Sequence, residues 1–576
     1  MEDLAVLPKP STEQQAAPPE PIRGSGLLRR LYPAAAVVGG SGLIAVHAAR
    51  FGNWIVDDAA ISFAYARSFA EGYGSVLQPG SAPTEGYSDP TWVALLTVGR
   101  LVGLFDRGTI FGVPDYVVFP KALALLCCVG ILVAFYRAAV KVSTRPALVT
   151  FIAGATLAAI PSFVIWCFSG LENSLYALIV TSLATLLFRA TVDDRLLTAR
   201  VALLAGGFAG LAALTRPDGL VYGMAYPLVM LIHLRRSTLR RGIGSVALAA
   251  GAFVVIVGTY FGWRRLEFGR WTSLPTAAKG QTVPDAASLA RAGDLVQYVG
   301  VLVAIVLVVV VGMAMARPSV LRRAIVSFLV PLTLALAAYV VLAPDWMGEF
   351  RFATPVWCLA GIVGVLAGEA AFRQIGVRGR MVLVVALVVS LVPASSQFYD
   401  DSNGFRASPT VPMCMIAGRP SRVDNGFADI LGIRQGSLLA PDVGATAMTS
   451  RLHIIDLAGL TDSTMANFWA HQQWPALDDY VFDMAKPTFL ELHPPWSTET
   501  GLSGDPRLSR DYDLLRTQPG STDITDWVRK DAVTSPAKLE QARVYGRTTV
   551  TQELAPTANA PRRQCGATLR PGQRLG

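Results

Sequence analysis

The sequence predicts a polytopic α-helical membrane protein of about eleven transmembrane helices, followed by a small C-terminal extracytoplasmic α/β domain. Three observations predict it. The 576 residues are 52% hydrophobic and only 16% charged, with a mean hydropathy of +0.44, whereas a soluble chain has about 25% charged residues. Apolar runs near twenty residues, the length that crosses a bilayer as a helix, recur between Leu31 and Gln397. Basic residues fall in clusters between those runs.

The segment 1–30 reads as a cytoplasmic tail, and 1–22 is too rich in Pro, Gln, Glu and Ala to bury a core. Arg23, Arg29 and Arg30 precede the first span without a cleavage signal, so that span stays as an anchor. The spans are read at 31–51, 118–140, 148–167, 173–190, 199–214, 218–234, 244–263, 296–315, 324–343, 352–372 and 381–397. With this numbering one side receives Arg29/Arg30, Arg137/Lys141/Arg145, Arg195/Arg200, Arg235/Arg236/Arg240/Arg241, Arg317/Arg322/Arg323 and Arg373/Arg378/Arg380. The positive-inside rule makes that side cytoplasmic, with the C-terminal region outside. The run 91–105 has fifteen residues and contains Arg100, so it reads as a helix lying on the outer surface.

The chain therefore divides into the tail, a membrane domain over 31–397 with a first external loop at 52–117, and an external region over 398–576. Strand-like runs such as Leu452–Leu457 alternate with polar turns in the last part, and residues beyond about 550 read as loosely ordered. The net charge of +9 comes from 43 Arg and 7 Lys. Many of these Arg lie in short loops, where they set topology rather than bind nucleic acid. Cys127, Cys128, Cys167 and Cys358 fall in apolar runs as small core residues, while Cys414 and Cys565 form a disulfide candidate if the tail is outside the cell. The Cys and His spacings give no metal site. No GxxxxGKS, GxSxG or HExxH motif is present, which disfavours an ATP-driven transporter, a serine hydrolase and a zinc protease.

The candidate site residues all lie on the outer side. Asp57 and Asp58 open the external loop, and two adjacent carboxylates beside an apolar wall invite a raised pKa and a general base. The bland alternative is an acidic first helical turn. Arg216, Lys279 and Arg351 oppose the charge bias of that side and suit a phosphate. Each has a rival reading: snorkelling for Arg216, a solvated loop charge for Lys279, and pairing with Glu349 or Asp345 for Arg351. Glu85 and Tyr87 either shape a sugar site or hold the loop against the bundle. Glu172 binds an acceptor or caps the next helix. Trp346 stacks on sugar or marks the interface belt, and Glu349 is a further substrate-side candidate.

Seven segments in order resemble a known family. They are Val56-Asp57-Asp58 with Ser62-Phe63, Thr84-Glu85-Gly86-Tyr87-Ser88-Asp89-Pro90-Thr91-Trp92, Ser169-Gly170-Leu171-Glu172-Asn173, Leu214-Thr215-Arg216-Pro217-Asp218-Gly219, Ser273–Lys279, Asp345–Phe352 and Ile455–Asp462. Together they resemble integral-membrane glycosyltransferases of the GT-C fold, most like the terminal arabinofuranosyltransferases of the mycobacterial cell wall. The resemblance spans about 54–465. It implies a polyprenyl-phosphate-linked sugar donor, a cell-envelope glycan acceptor such as arabinogalactan, and inversion at the anomeric carbon. It also implies that one carboxylate of the acidic pair is the base; Asp57 is the candidate, with Asp58 raising its pKa or binding the acceptor or a cation. No cofactor is required, and a divalent cation on Asp57/Asp58 is compatible with the chemistry. Ala60 and Ala64 depart from the family's bulkier residues on the acceptor side. The rival functions are a flippase for a lipid-linked sugar, which would bring charges into the spans, and a non-catalytic envelope scaffold, which would tolerate loss of both aspartates.

Overall fold

A computed structural model of the chain describes residues 26–279, 286–418, 422–550 and 565–574. Most of the expected tail, 1–25, lies outside the described residues, and Gly26–Arg30 already belongs to the first helix.

All eleven predicted span positions are helical, but they are not eleven equal spans. Among the described residues, seven helices are long and apolar enough to cross a bilayer: Leu31–Ala49, Asp115–Ala139, Asn173–Val192, Arg236–Phe268, Val320–Val341, Arg351–Gln374 and Val377–Ala407. Two more positions are bent pairs, so the number reaches up to 9 when each pair is taken as one span. Pro146–Ala159 meets Pro161–Cys167 at 84°. Pro161 has no N–H to continue the ladder, and Ile160 before it is extended at φ −85° and ψ 107°. Ser288–Val299 meets Val301–Ala316 at 96° across Gly300, whose φ is 89°. The last two positions fall short. Ala199–Thr215 has only 17 residues, and 217–233 begins as the 3₁₀ turn Pro217–Met224 before Ala225–His233. The final long helix runs to Ala407, ten residues beyond the predicted end. The run read as an outer-surface helix is Pro90–Leu101, which leaves Leu95, Val98 and Leu101 exposed.

A short hairpin, β1 (Thr109–Ile110) with β2 (Val113–Pro114), leads into the helix Asp115–Ala139. The C-terminal part holds a five-stranded sheet of β3 (Ser437–Ala440), β4 (His453–Asp456), β5 (Phe489–Leu492), β6 (Tyr512–Thr517) and β7 (Thr525–Arg529). The order is β4-β3-β5-β7-β6. β3 is parallel to β4 and β5, while β7 is antiparallel to β5 and β6. Side chains alternate between faces along a strand. Leu438, Ala440, Phe489 and Val528 accordingly join one apolar layer, and Leu439, Ile455, Leu490 and Leu492 the other. The sheet is thus covered on both faces.

Backbone pairing fastens this part to the helical bundle. Asp57 N donates to Val411 O at 3.0 Å, and Met413 N donates to Ile55 O at 2.9 Å. Cys414 and Cys565 form the disulfide, with Cα atoms 4.9 Å apart. Contrary to the reading of a loose end, 565–574 docks: Tyr116 OH donates to Gly566 O at 2.7 Å and Gly572 N to Thr449 O at 2.9 Å. These partners lie more than a hundred residues away in the chain, so local composition could not reveal them. The segment 551–564 lies outside the described residues.

Candidate active site

The helix Asp57–Ala70 starts at the acidic pair. Successive helical side chains diverge by about 100°, given 3.6 residues per turn, so the two carboxylates face different surroundings. Asp57 is buried, and its two oxygens accept Gly444 N at 3.2 Å and Ala445 N at 2.8 Å. These amides open the short helix Gly444–Thr449. A side chain on Gly444 would overlap the Asp57 carbonyl and carboxylate, so only glycine permits the approach. Burial pushes the Asp57 carboxyl well up, with Asp442 adding to the rise against the two amides. Asp58 instead turns toward Lys279, whose Nζ is 3.9 Å from Oδ2. Burial raises the Asp58 carboxyl, and the Lys279 and Arg351 charges oppose that rise. Of the pair, Asp58 is the carboxylate left facing basic groups; Asp57, expected to be the base, is enclosed by protein amides.

Arg351 pairs with Asp345 through two bonds, Nε–Oδ2 at 2.6 Å and Nη2–Oδ1 at 3.1 Å. Arg216 is held by Asp218 at 2.9 Å and Glu172 at 3.1 Å. Both guanidiniums lie over the ring of Phe352, at 4.7 Å for Arg216 and 4.8 Å for Arg351. That shared ring brings two distant segments together. Arg351 follows Gly348, Glu349 and Phe350, three consecutive residues with φ of 70°, 48° and 52°. Such backbone costs of order 1 kcal/mol or more at each non-glycine position and needs support. Ser162 Oγ and Trp166 Nε1 supply it by donating to Glu349 O at 2.7 and 2.9 Å. Burial raises the Glu349 carboxyl, and Asp401 adds to it.

Of the remaining candidates, Glu85, Tyr87 and Glu172 are engaged by other side chains of the protein. Glu85 is clamped by Arg264, with Nε–Oε2 at 2.5 Å and Nη2–Oε1 at 2.9 Å, and by Tyr260 OH at 2.8 Å. Tyr87 packs its ring at 5.0 Å from Tyr65. These two hold the loop against the bundle rather than line an open sugar site, because their polar and ring faces are already occupied. Glu172 pairs with Arg216 and makes no side-chain cap bond to its helix. Trp346 is exposed. Among the described residues, no group of three or more His, Cys, Asp and Glu side chains is arranged to hold a metal ion.

Hydrogen bonds join six of the motif segments, and the seventh packs Thr461 against Gly86 of the second. Val56 N donates to Ser169 O at 3.0 Å, Trp92 Nε1 to Gly170 O at 2.9 Å, and Thr91 and Thr215 hydroxyls bond at 2.7 Å. Leu274 N donates to Glu85 O at 3.1 Å, which sets the short helix carrying Lys279. Asn173 Nδ2 donates to Arg351 O at 3.1 Å. Asp456 gathers Thr461 N at 2.6 Å and Thr461 Oγ1 at 2.9 Å, and burial lifts its carboxyl to about 7. Sequence reasoning missed Arg264, Gly444 and the pair Asp442–His493. Arg264 carried one signal, a basic residue just past the end of an apolar run; the other two carried none.

No protein-family model matches the sequence, and no curated protein matches it either. Solved structures do. ArnT from Cupriavidus metallidurans in the apo state superposes with a TM-score of 0.53 at 12% identity, covering 88% of this chain and 99% of that one. The same protein bound to undecaprenyl phosphate gives 0.50 at 12% identity, covering 89% and 100%. Arabinofuranosyltransferase AftD from mycobacteria gives 0.46 at 15% identity, covering 87% of this chain and 40% of that one, a likeness too weak to bear weight. The long apolar helices, the acidic pair at the start of the first loop and the two ArnT superpositions agree: the chain has the GT-C fold of integral-membrane glycosyltransferases.

Proposed function

We propose that the chain is an inverting glycosyltransferase that moves a sugar from a polyprenyl-phosphate donor to a cell-envelope glycan at the extracytoplasmic face of the cell membrane. Arabinofuranose is favoured as the sugar by the motif resemblance alone. The observation that supports the reading is the convergence of one partly open carboxylate, Asp58, with Lys279 and the Phe352-linked pair Arg216 and Arg351. The ArnT structure with undecaprenyl phosphate supports a donor of that lipid class.

In this reading Asp58 takes the proton from an acceptor hydroxyl as its oxygen attacks the anomeric carbon. The bond from that carbon to the phosphate oxygen breaks, and polyprenyl phosphate leaves with the electron pair. Lys279, Arg351 and Arg216 meet the charge that grows on the phosphate. Arg351 and Arg216 are already set by Asp345, Asp218 and Glu172, so little reorganisation is needed. A raised carboxyl pKa at Asp58 suits a base working near neutral pH. Asp57 is a positioning residue that fixes the start of the helix bearing Asp58. A cation shared by both aspartates fits poorly, because the Asp57 oxygens already hold two amides. With the C-terminal part and this site outside, the arginine clusters at the opposite ends of the spans face the cytoplasm.

The test is transfer of radiolabelled sugar from decaprenyl-phosphate-linked arabinose to an arabinan acceptor by the purified protein in nanodiscs. Transfer that is lost in Asp58→Asn supports the reading. Normal turnover by that variant overturns the assignment of the base.

A further inference from the structure

A cleft of about 680 Å³ opens on the far side of the first-loop helix. One wall is the helix Asp57–Ala70 and the loop after Pro90–Leu101; the other is the start of β4 and the docked segment 565–574. Arg67 and Asp58 are nine residues apart on the same helix. At 1.5 Å and 100° per residue this separates them by roughly 14 Å and turns them to opposite sides. The cleft is therefore distinct from the site built around Asp58.

Its charge is unbalanced. Five arginines line it, Arg67, Arg100, Arg107, Arg451 and Arg570. Three are spoken for: Arg67 and Arg100 share Asp106, Arg100 also takes Glu71 at 2.5 Å, and Arg451 holds Asp429 at 2.7 Å. Among the described residues the guanidiniums of Arg107 and Arg570 have no carboxylate within 4.0 Å, Arg107 Nε donating only to Arg100 O at 3.5 Å, and the two come from opposite walls to line one space. Guanidiniums so arranged match a carboxylate or phosphate. The rest of the lining mixes Leu77, Leu452 and Leu569 with the hydroxyls of Ser68 and Thr568. Mixed apolar and hydroxyl contacts suit the C–H and O–H faces of a sugar ring better than a bare anion or a lipid headgroup.

We propose that this cleft docks an acidic saccharide, with Arg107 and Arg570 engaging its anionic group. The saccharide rests on the proposed function; the recognition of an anion does not. The Cys414–Cys565 disulfide fastens the segment that carries Arg570 as one wall of the cleft.

The full chain in phosphatidylcholine nanodiscs is titrated at low salt with tri-galacturonate, maltotriose and inorganic pyrophosphate. The proposal expects tri-galacturonate to bind at least tenfold more tightly than maltotriose, and more tightly than pyrophosphate. Affinity should fall as salt rises. Arg107→Ala with Arg570→Ala should lower it at least tenfold without moving the unfolding temperature, and Arg107→Lys with Arg570→Lys should recover part of it. Asp58→Asn should bind the acid unchanged, so loss of sugar transfer and loss of docking are separable. Equal binding of the acidic and neutral trisaccharides, or full affinity in the double alanine variant, overturns the proposal. Pyrophosphate binding as tightly as the trisaccharide overturns the saccharide part.

Discussion

Replacing each aspartate of the pair by asparagine should give opposite phenotypes. In Asp57→Asn the amide oxygen can still accept one backbone N–H, from Gly444 or Ala445. Its NH₂ then faces the other donor. One buried hydrogen bond is lost and one donor is left without a partner, which costs about 1–3 kcal/mol of stability. The helix still begins at residue 57, so Asp58 keeps its direction toward Lys279. The kcat should fall by less than in Asp58→Asn, since a small positioning shift is milder than loss of the proton acceptor. In Asp58→Asn the fold loses little, because among the described residues that carboxylate has one ion pair, the 3.9 Å contact with Lys279. Its kcat should fall by about 10²–10⁴, the usual worth of a general base. Sugar transfer in nanodiscs, run beside thermal unfolding of each variant, reads both quantities. A hundredfold loss in Asp57→Asn with an unchanged unfolding temperature, beside near-normal transfer in Asp58→Asn, would refute the assignment.

Three further outcomes are expected. Arg264→Ala leaves Glu85 charged and buried and should cost about 3–5 kcal/mol in unfolding, whereas Arg264→Met with Glu85→Leu should regain most of it. Arg351→Lys cannot reproduce the two-bonded fork with Asp345, so use of the donor should weaken roughly ten- to hundredfold in donor titrations, the equivalent of about 1.5–3 kcal/mol. His493 has Nε2 3.0 Å from Asp442 and Nδ1 2.8 Å from Pro494 O, so both ring nitrogens face acceptors. Burial lowers its pKa, and Asp442 with Glu491 more than offsets this, raising it from 6.5 to about 9. The imidazolium therefore stabilises the fold by up to about 3 kcal/mol below pH 6.5, and this is lost as pH rises through about 9. Chemical unfolding of His493→Gln against the parent from pH 6 to pH 10 checks it; a constant difference would contradict the pairing.

The spans were legible because apolar length is a local property, and each predicted position is helical. What the sequence hid was where helices bend: Pro161 marked one bend openly, while Gly300 gave a weaker sign inside an apolar run. The motif residues were legible as a group, since seven spaced segments fold onto one end of the bundle. Their division of labour was not. Asp57 and Asp58 are chemically identical neighbours, and only the direction of the helix and the arrival of Gly444 separate them. For Glu85 the sequence left two readings, a sugar site or a hold on the bundle, because its partner Arg264 lies 179 residues away. The disulfide candidate Cys414–Cys565, read from the polar setting of both cysteines, is formed in the structure.

The contact between Asp57 and Gly444 also bears on the timing of synthesis. Ribosomes deliver the membrane helices first, and the acidic pair is inserted long before residue 444 exists. Until Gly444–Thr449 arrives, the buried carboxylate has no amides to meet and the start of its helix lacks a clasp. The docked end is later still, because Cys565 must emerge and bond to Cys414. A nascent or truncated chain would thus be inserted before the start of the helix bearing Asp58 is clasped. A chain ending at residue 412 should reach the membrane with its helices formed and show no transfer, while the missing part supplied in trans should restore some.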